Sequence, residues 1–276
     1  MSQSTEELVG ISASVVCIDG SARLHKSAGT RAVTSDEVIY RNYDSRARLP
    51  REPWLSLSED AISTIGPRTR TSDFGTTVYV FQVGERAIDA ARLLSTRQVA
   101  GSDSLRNRIR TQFENEMRKH CGIEGEAHYV GMQMNPPNLL SVTKDNDTGK
   151  FLGLHVDSWD GETISRRSRS RNRLSINIGQ TARYFLFIPV LLEKVAAYMG
   201  IDGYLQCDLR TSLTPLARRF LSERPEVPVV RCRVGPGEAY VAPTENLIHD
   251  ASSLGFTDVG KNFTILARIR PYPDKV

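Results

Sequence analysis

The chain has 276 residues, 39% of them hydrophobic and 25% charged, with a formal net charge of +4. These are ordinary globular values: they allow a sizeable core, exclude gross disorder, and give too small a basic excess to signal nucleic-acid binding without a clustered stripe. The four cysteines, Cys17, Cys121, Cys207 and Cys232, form no Cys-x-x-Cys pair, so they suggest neither a zinc knuckle nor a thioredoxin-type site and fit free thiols in a reducing cytoplasm.

The first ten residues, MSQSTEELVG, lack a basic segment followed by an apolar stretch, so no signal peptide is expected. No apolar run approaches the roughly 18 residues of a membrane span. Short strands are predicted at 12–18 (SASVVCI) and at 77–83 (TVYVFQV), with a polar, turn-rich stretch between them that holds one short helix in 50–66. Two helices follow, at 85–98 and 102–122, the first with an apolar face at helical spacing and the second with basic residues before Gly122. Strands are then expected at 127–135, 139–145, 151–157, 173–179 and 183–189. Helices at 189–200 and 214–224 interrupt them, and strands return at 227–234, 238–243 and 262–270. The pattern predicts a mostly β sandwich or barrel, with the early helices packed on one sheet.

One stretch carries chemistry. In GLHVDSWDG (153–161), His155 and Asp157 stand two positions apart in a strand-like run. Residues at that spacing share a face of a strand. Far downstream, GEAYVAP (237–243) leads to His249, the only histidine in the last hundred residues. Two imidazoles and one carboxylate occupy one face of an octahedral ferrous ion and leave positions open for a chelating cosubstrate and dioxygen. His25, His120 and His128 have no carboxylate in register and are read as structural or surface residues, His120 as a cation suited to a helix C-terminus.

The set resembles the Fe(II)/2-oxoglutarate-dependent oxygenases of the double-stranded β-helix, or cupin-like, fold. Their pattern is His-x-Asp, a long interval (92 positions here), then His. The Gly-x5-Pro strand at 237–243 resembles the one that precedes the last metal histidine in cupin-like folds. The resemblance covers about residues 127–270 and implies a jelly-roll core there. A helical insert at 188–222 would fall between core strands, and about 1–126 would form a mixed α/β support within a single domain spanning 1–276. It also implies that His155, Asp157 and His249 bind the iron.

A cosubstrate carboxylate taken out of water needs a cationic partner, ideally a bidentate arginine. In NFTILARIR (262–270), Phe263, Ile265, Ala267 and Ile269 share the face expected to pack against helices. Thr264, Leu266, Arg268 and Arg270 share the face expected to look inward. Arg268 is assigned to the 2-oxoglutarate carboxylate, with Thr264 or Arg270 nearby, although it follows His249 at slightly longer range than the family commonly shows. Lys261 and Arg183 remain rivals. Gln133 and Asn135 share a strand face and either bond the cosubstrate or edge the sheet, while Trp159 shapes the pocket mouth or packs the turn.

SRRSRSRNR (165–173) holds five arginines in nine residues. It reads as a lid attracting an anionic or carrier-bound substrate, an RNA-binding segment, or a solvated loop. Missing aromatic interleaving disfavours nucleic acid. The expected activity is hydroxylation, or desaturation or cyclisation, of an amino acid or specialised metabolite. Decarboxylation of 2-oxoglutarate to succinate accompanies it. The alternatives are a cupin-like isomerase or dioxygenase without 2-oxoglutarate, or a non-enzymatic binder using the arginine run. Oligomeric state is not legible.

Overall fold

The computed structural model describes residues 14–17, 23–57, 75–96, 103–201 and 213–271. In chain order the elements are β1 (Ser14–Cys17), β2 (Leu24–Ser27), β3 (Thr30–Ala32), α1 (Ser35–Tyr40), β4 (Arg48–Pro50), β5 (Trp54–Ser56), β6 (Thr77–Gln82), α2 (Glu85–Leu94), α3 (Asp103–Met117) and β7 (Cys121–Asn135). A 3-10 turn (Ile164–Arg169) leads into β8 (Asn172–Asn177) and β9 (Arg183–Leu191). Then come α4 (Leu192–Tyr198), α5 (Thr214–Glu223), β10 (Val230–Val234), β11 (Glu238–Ala242), β12 (Leu247–Ser252) and β13 (Gly260–Pro271).

Two sheets face one another in a β-sandwich consistent with a jelly roll. One has the order β1-β6-β11-β8-β13-β7, the other β12-β9-β10-β2-β5, and every pair is antiparallel except β1 with β6. From β7 onward the pairing is nested. The first strand pairs with the last (β7 with β13), a bridge at His155 pairs with β12, β8 pairs with β11, and β9 with β10.

Three apolar layers hold the sandwich. Between the sheets, Val78, Val80, Tyr240 and Ala242 meet Phe185, Phe187, Val230 and Cys232. Outside the six-stranded sheet, α2 and α3 bury Ala91, Ile109 and Phe113 on Phe81, Ile176, Phe263 and Ile265. Phe113 is fully buried and meets Tyr129 and Phe263 edge-on. Burying a side chain of that size contributes about 1.5–3 kcal/mol. Outside the five-stranded sheet, α4 and α5 pack Val195 and Phe220 on Leu186 and Ile188. Cover on both faces explains why β6, β9 and β11 are near-continuous apolar runs rather than alternating ones.

Several expectations need correction. No regular strand forms at 139–145 or 151–157; only the bridges Lys144–Phe151, Tyr43–Phe151 and His155–His249 occur there. The Asp145 carboxylate accepts the N–H groups of Asp147 and Thr148, and this side-chain-capped turn breaks the first run. Gly153, at φ +72°, breaks the second: a Cβ there would lie 2.6 Å from the Arg48 carbonyl oxygen. Within 50–66, residues Trp54–Ser56 form a strand paired with β2, not a helix, and 58–66 lie outside the described residues. The helix predicted to 122 ends at Met117, and β7 begins at Cys121. His120 accordingly does not cap a helix; it stacks on Phe81 at 5.3 Å, and burial lowers its pKa.

Candidate metal centre

His155 and His249 lie directly opposite one another. Each donates its backbone N–H to the other's carbonyl, at 3.0 and 2.9 Å. In such a reciprocal antiparallel pair both side chains leave the same face, and the two rings sit with centroids 4.6 Å apart. Each Nδ1 bonds a carbonyl two residues upstream, His155 to Gly153 at 2.9 Å and His249 to Leu247 at 3.1 Å. Carbonyl oxygens only accept, so both Nδ1 atoms carry the proton and both Nε2 atoms present lone pairs.

Asp157 completes the cluster. Its Oδ1 lies 3.7 Å from His155 Nε2 and its Oδ2 lies 3.5 Å from His249 Nε2. One ligand atom from each of the three residues falls within 4.8 Å of the others. Both histidines are buried, Asp157 is mostly so, and His155 Nε2 has no hydrogen-bond partner. A buried lone pair without a donor costs free energy unless something occupies the place it faces. Two neutral imidazoles plus a carboxylate are the donor set of a divalent transition metal, so these residues fit an iron ion.

Arg173, on the inner face of β8, donates to Asp157 Oδ2 from Nη2 at 2.9 Å and from Nε at 3.3 Å. Burial works against a charged Asp157, but the Arg173 guanidinium outweighs it and holds the carboxyl well below its usual range. Arg173 therefore keeps Asp157 ionised and orients it, the part that outer partners play around metal ligands. Replacing it by glutamine is expected to weaken Co(II) affinity about 10–100-fold, read by anaerobic titration; unchanged affinity contradicts the assignment.

The loop after Asp157 is clamped by Arg167, whose side chain is fully buried in the 3-10 turn. Its Nη1 donates to the Asp157 and Glu245 carbonyls at 2.8 and 3.0 Å, and its Nη2 donates to the Ser158 hydroxyl at 3.0 Å. Behind His249, Asp250 accepts from the Ser141 hydroxyl and from Thr143 Oγ1 at 2.6 Å, fastening β12 to the 139–143 segment. The arginine run is thus not one unit. Arg167 and Arg173 are buried and serve the centre, Arg166 pairs with Glu162, and Arg171 pairs with Asp160.

The cosubstrate residues named from sequence fare differently. Thr264 faces the interior, 3.4 Å from Ser175 Oγ and 3.3 Å from Gln133 Oε1, and Asn262 links Gln133 to Asn135. Arg268 and Arg270 do not face the interior; both are exposed. β8 accompanies β13 only as far as Ala267, and the register against β7 shifts between Leu266 and Arg268, so these arginines lie past the end of the sandwich. Arg270 pairs with Glu124 at 2.8 Å. Lys261 is exposed as well, and Trp159 is 42% exposed with its backbone N–H bonded to Glu245.

The rival Arg183 is the buried one. It sits at the start of β9 in the same alternation as Phe185 and Phe187, which point between the sheets. It is 6% exposed, and neither its Nε nor its Nη1 has a partner. Its guanidinium lies 5.9 Å from the Tyr240 ring. Phe185, next along the same face, stacks on Tyr240 at 4.4 Å and stands 6.0 Å from the His249 ring. Burial and the like charge of Arg173 both lower the pKa of Arg183.

No protein-family model and no curated protein matches the chain. Among solved structures, the chain is similar to the Kdo hydroxylase KdoO, a non-heme Fe(II) alphaketoglutarate-dependent dioxygenase in complex with cobalt(II). That match has a TM-score of 0.40 and 10% identity, covering 71% of this chain and 81% of that one. Among the described residues no helix is long and apolar enough to cross a membrane.

Proposed function

We propose that the protein is a non-haem iron, 2-oxoglutarate-dependent oxygenase with a double-stranded β-helix core, hydroxylating, desaturating or cyclising a small molecule of the amino-acid or specialised-metabolite type. The observation that carries this reading is the reciprocal backbone pair of His155 and His249, which turns both Nε2 lone pairs toward Asp157. The nested strand order from β7 to β13 supports the core assignment.

Under this reading His155, Asp157 and His249 hold the iron, which together with dioxygen supplies the redox chemistry. Arg183 binds the distal carboxylate of 2-oxoglutarate with its guanidinium, whose Nε and Nη1 have no partner within the protein. Burial between the sheets keeps water from competing for that pair, which strengthens it. Ser175 and Thr264, on facing inner positions of β8 and β13, offer hydroxyls for further contacts. Arg173 fixes the ionised state of Asp157.

The test is anaerobic addition of Fe(II) and 2-oxoglutarate followed by air. A weak visible charge-transfer band that needs both additions, then succinate released as oxygen is consumed, is the expected result. Metal binding with no 2-oxoglutarate consumption would instead identify a cupin-like enzyme of the isomerase or simple dioxygenase type. Absence of metal binding would remove the enzyme reading altogether.

A further inference from the structure

We propose that the cleft between the 3-10 turn and the outer end of β13 binds a small phosphate-bearing molecule, at a place separate from the metal centre. The cleft measures about 390 Å³, within the range of small-molecule sites. It gathers Arg166 and Arg169 from the arginine run with Arg268 and Arg270, which lie about a hundred positions further along the chain.

The charges decide what fits. Glu162 and Glu124 also line the cleft, but each is taken: Glu162 by Arg166 at 3.4 Å and Glu124 by Arg270 at 2.8 Å. Arg169 and Arg268 have no ion-pair partner among the described residues, and Asp160, whose charge Arg268 reaches, is committed to Arg171. The lining therefore holds two neutralised pairs and two uncommitted guanidinium forks. Each fork matches two oxygens of a tetrahedral oxyanion, so the pair suits a phosphate dianion. Ser168, exposed in the same lining, adds a hydroxyl group, while the buried Ser170 hydroxyl is given to Glu245.

A nucleic-acid backbone suits the cleft less well. A second hollow, sharing Arg268 and Glu124, is lined by Glu126 as well as Arg171, so carboxylates interrupt any continuous positive track. None of the lining residues is aromatic, so unpaired bases have nothing to stack on.

The test is isothermal titration of the full-length, metal-stripped protein with inorganic pyrophosphate at low ionic strength. Parallel titrations use the Arg169→Gln/Arg268→Gln double variant, Arg219→Gln as a remote charge control, and Arg183→Met. Saturable binding at one equivalent is expected, weakened at least tenfold in the double variant and unchanged in the other two, with the melting temperature of the double variant preserved. No saturable binding to the wild type overturns the proposal, as does equal binding to the double variant. Loss in Arg183→Met instead overturns it by placing the anion inside the sandwich. A parallel titration with a thymidine dodecamer that succeeds where pyrophosphate fails assigns the surface to nucleic acid and equally overturns it. None of these outcomes depends on iron, so failure here leaves the oxygenase reading standing.

Discussion

Replacing His155 by alanine is expected to eliminate saturable Co(II) binding, a loss beyond the roughly 10–100-fold that outer partners of a metal ligand contribute. The substitution removes one of three donors and leaves the backbone pair intact, because the bonds to His249 run through main-chain N–H and C=O groups. Circular dichroism should therefore remain native while the metal is lost. His128→Ala, an exposed change on β7, is the matched control and should bind as the wild type does. Stoichiometric Co(II) binding by His155→Ala would show that the three side chains do not act as one site.

Arg183→Met is expected to move stability and ligand binding in opposite directions. In the protein alone, Arg183 is a desolvated cation with two donor atoms unmet. A buried group left without its partners costs about 1–3 kcal/mol, so an apolar side chain of similar length should stabilise the fold by about that amount. For a chain of this size each kcal/mol raises the melting temperature by roughly 2–4 °C. Affinity for 2-oxoglutarate should fall by on the order of 100-fold or more, since a charge-assisted hydrogen bond is worth about 1.5–3 kcal/mol and two are lost. Differential scanning calorimetry and ligand titration on the same preparation read both effects. A variant that melts lower and still binds 2-oxoglutarate at wild-type strength would show that Arg183 serves the fold and not the cosubstrate.

Strong local patterns were readable in the sequence. The β-branched and aromatic runs at β6, β8, β9, β11 and β13 form strands because both faces of the sandwich are covered, and the alternation in 262–270 sorts Phe263 and Ile265 to the helices and Thr264 to the interior. Asp157 and the two histidines were nameable because their spacing is itself the signal. What failed was information the local pattern does not contain. Nothing in the alternation of β13 says where its neighbour stops, so Arg268 and Arg270 were placed inside a sheet that ends at Ala267 on that side. The arginine run offered one composition for side chains with several fates, and only the turn at Ile164–Arg169 turns Arg167 inward. Arg173 carried a signal that was readable: it lies at the start of a predicted strand, in the alternation that leads to Ser175. The short strands β2 to β5 went unseen because segments of three or four residues, set among polar turns, have too few positions for a period to show.

The paired histidines are flanked on their other side by a segment that matched no motif. Leu154 donates its N–H to the Arg48 carbonyl, and Asp44 donates its own to the carbonyl of Phe151. The ligand-bearing loop is thus threaded between β12 and residues 44–48, while β2, β5 and β6 widen the very sheets that carry the centre. A fragment beginning near residue 127 would keep every ligand and lose the wall they lean on. The ligand-bearing half of such a chain is not a portable module, and grafting or truncation that respects only the His-x-Asp and His signatures should yield a protein unable to assemble them.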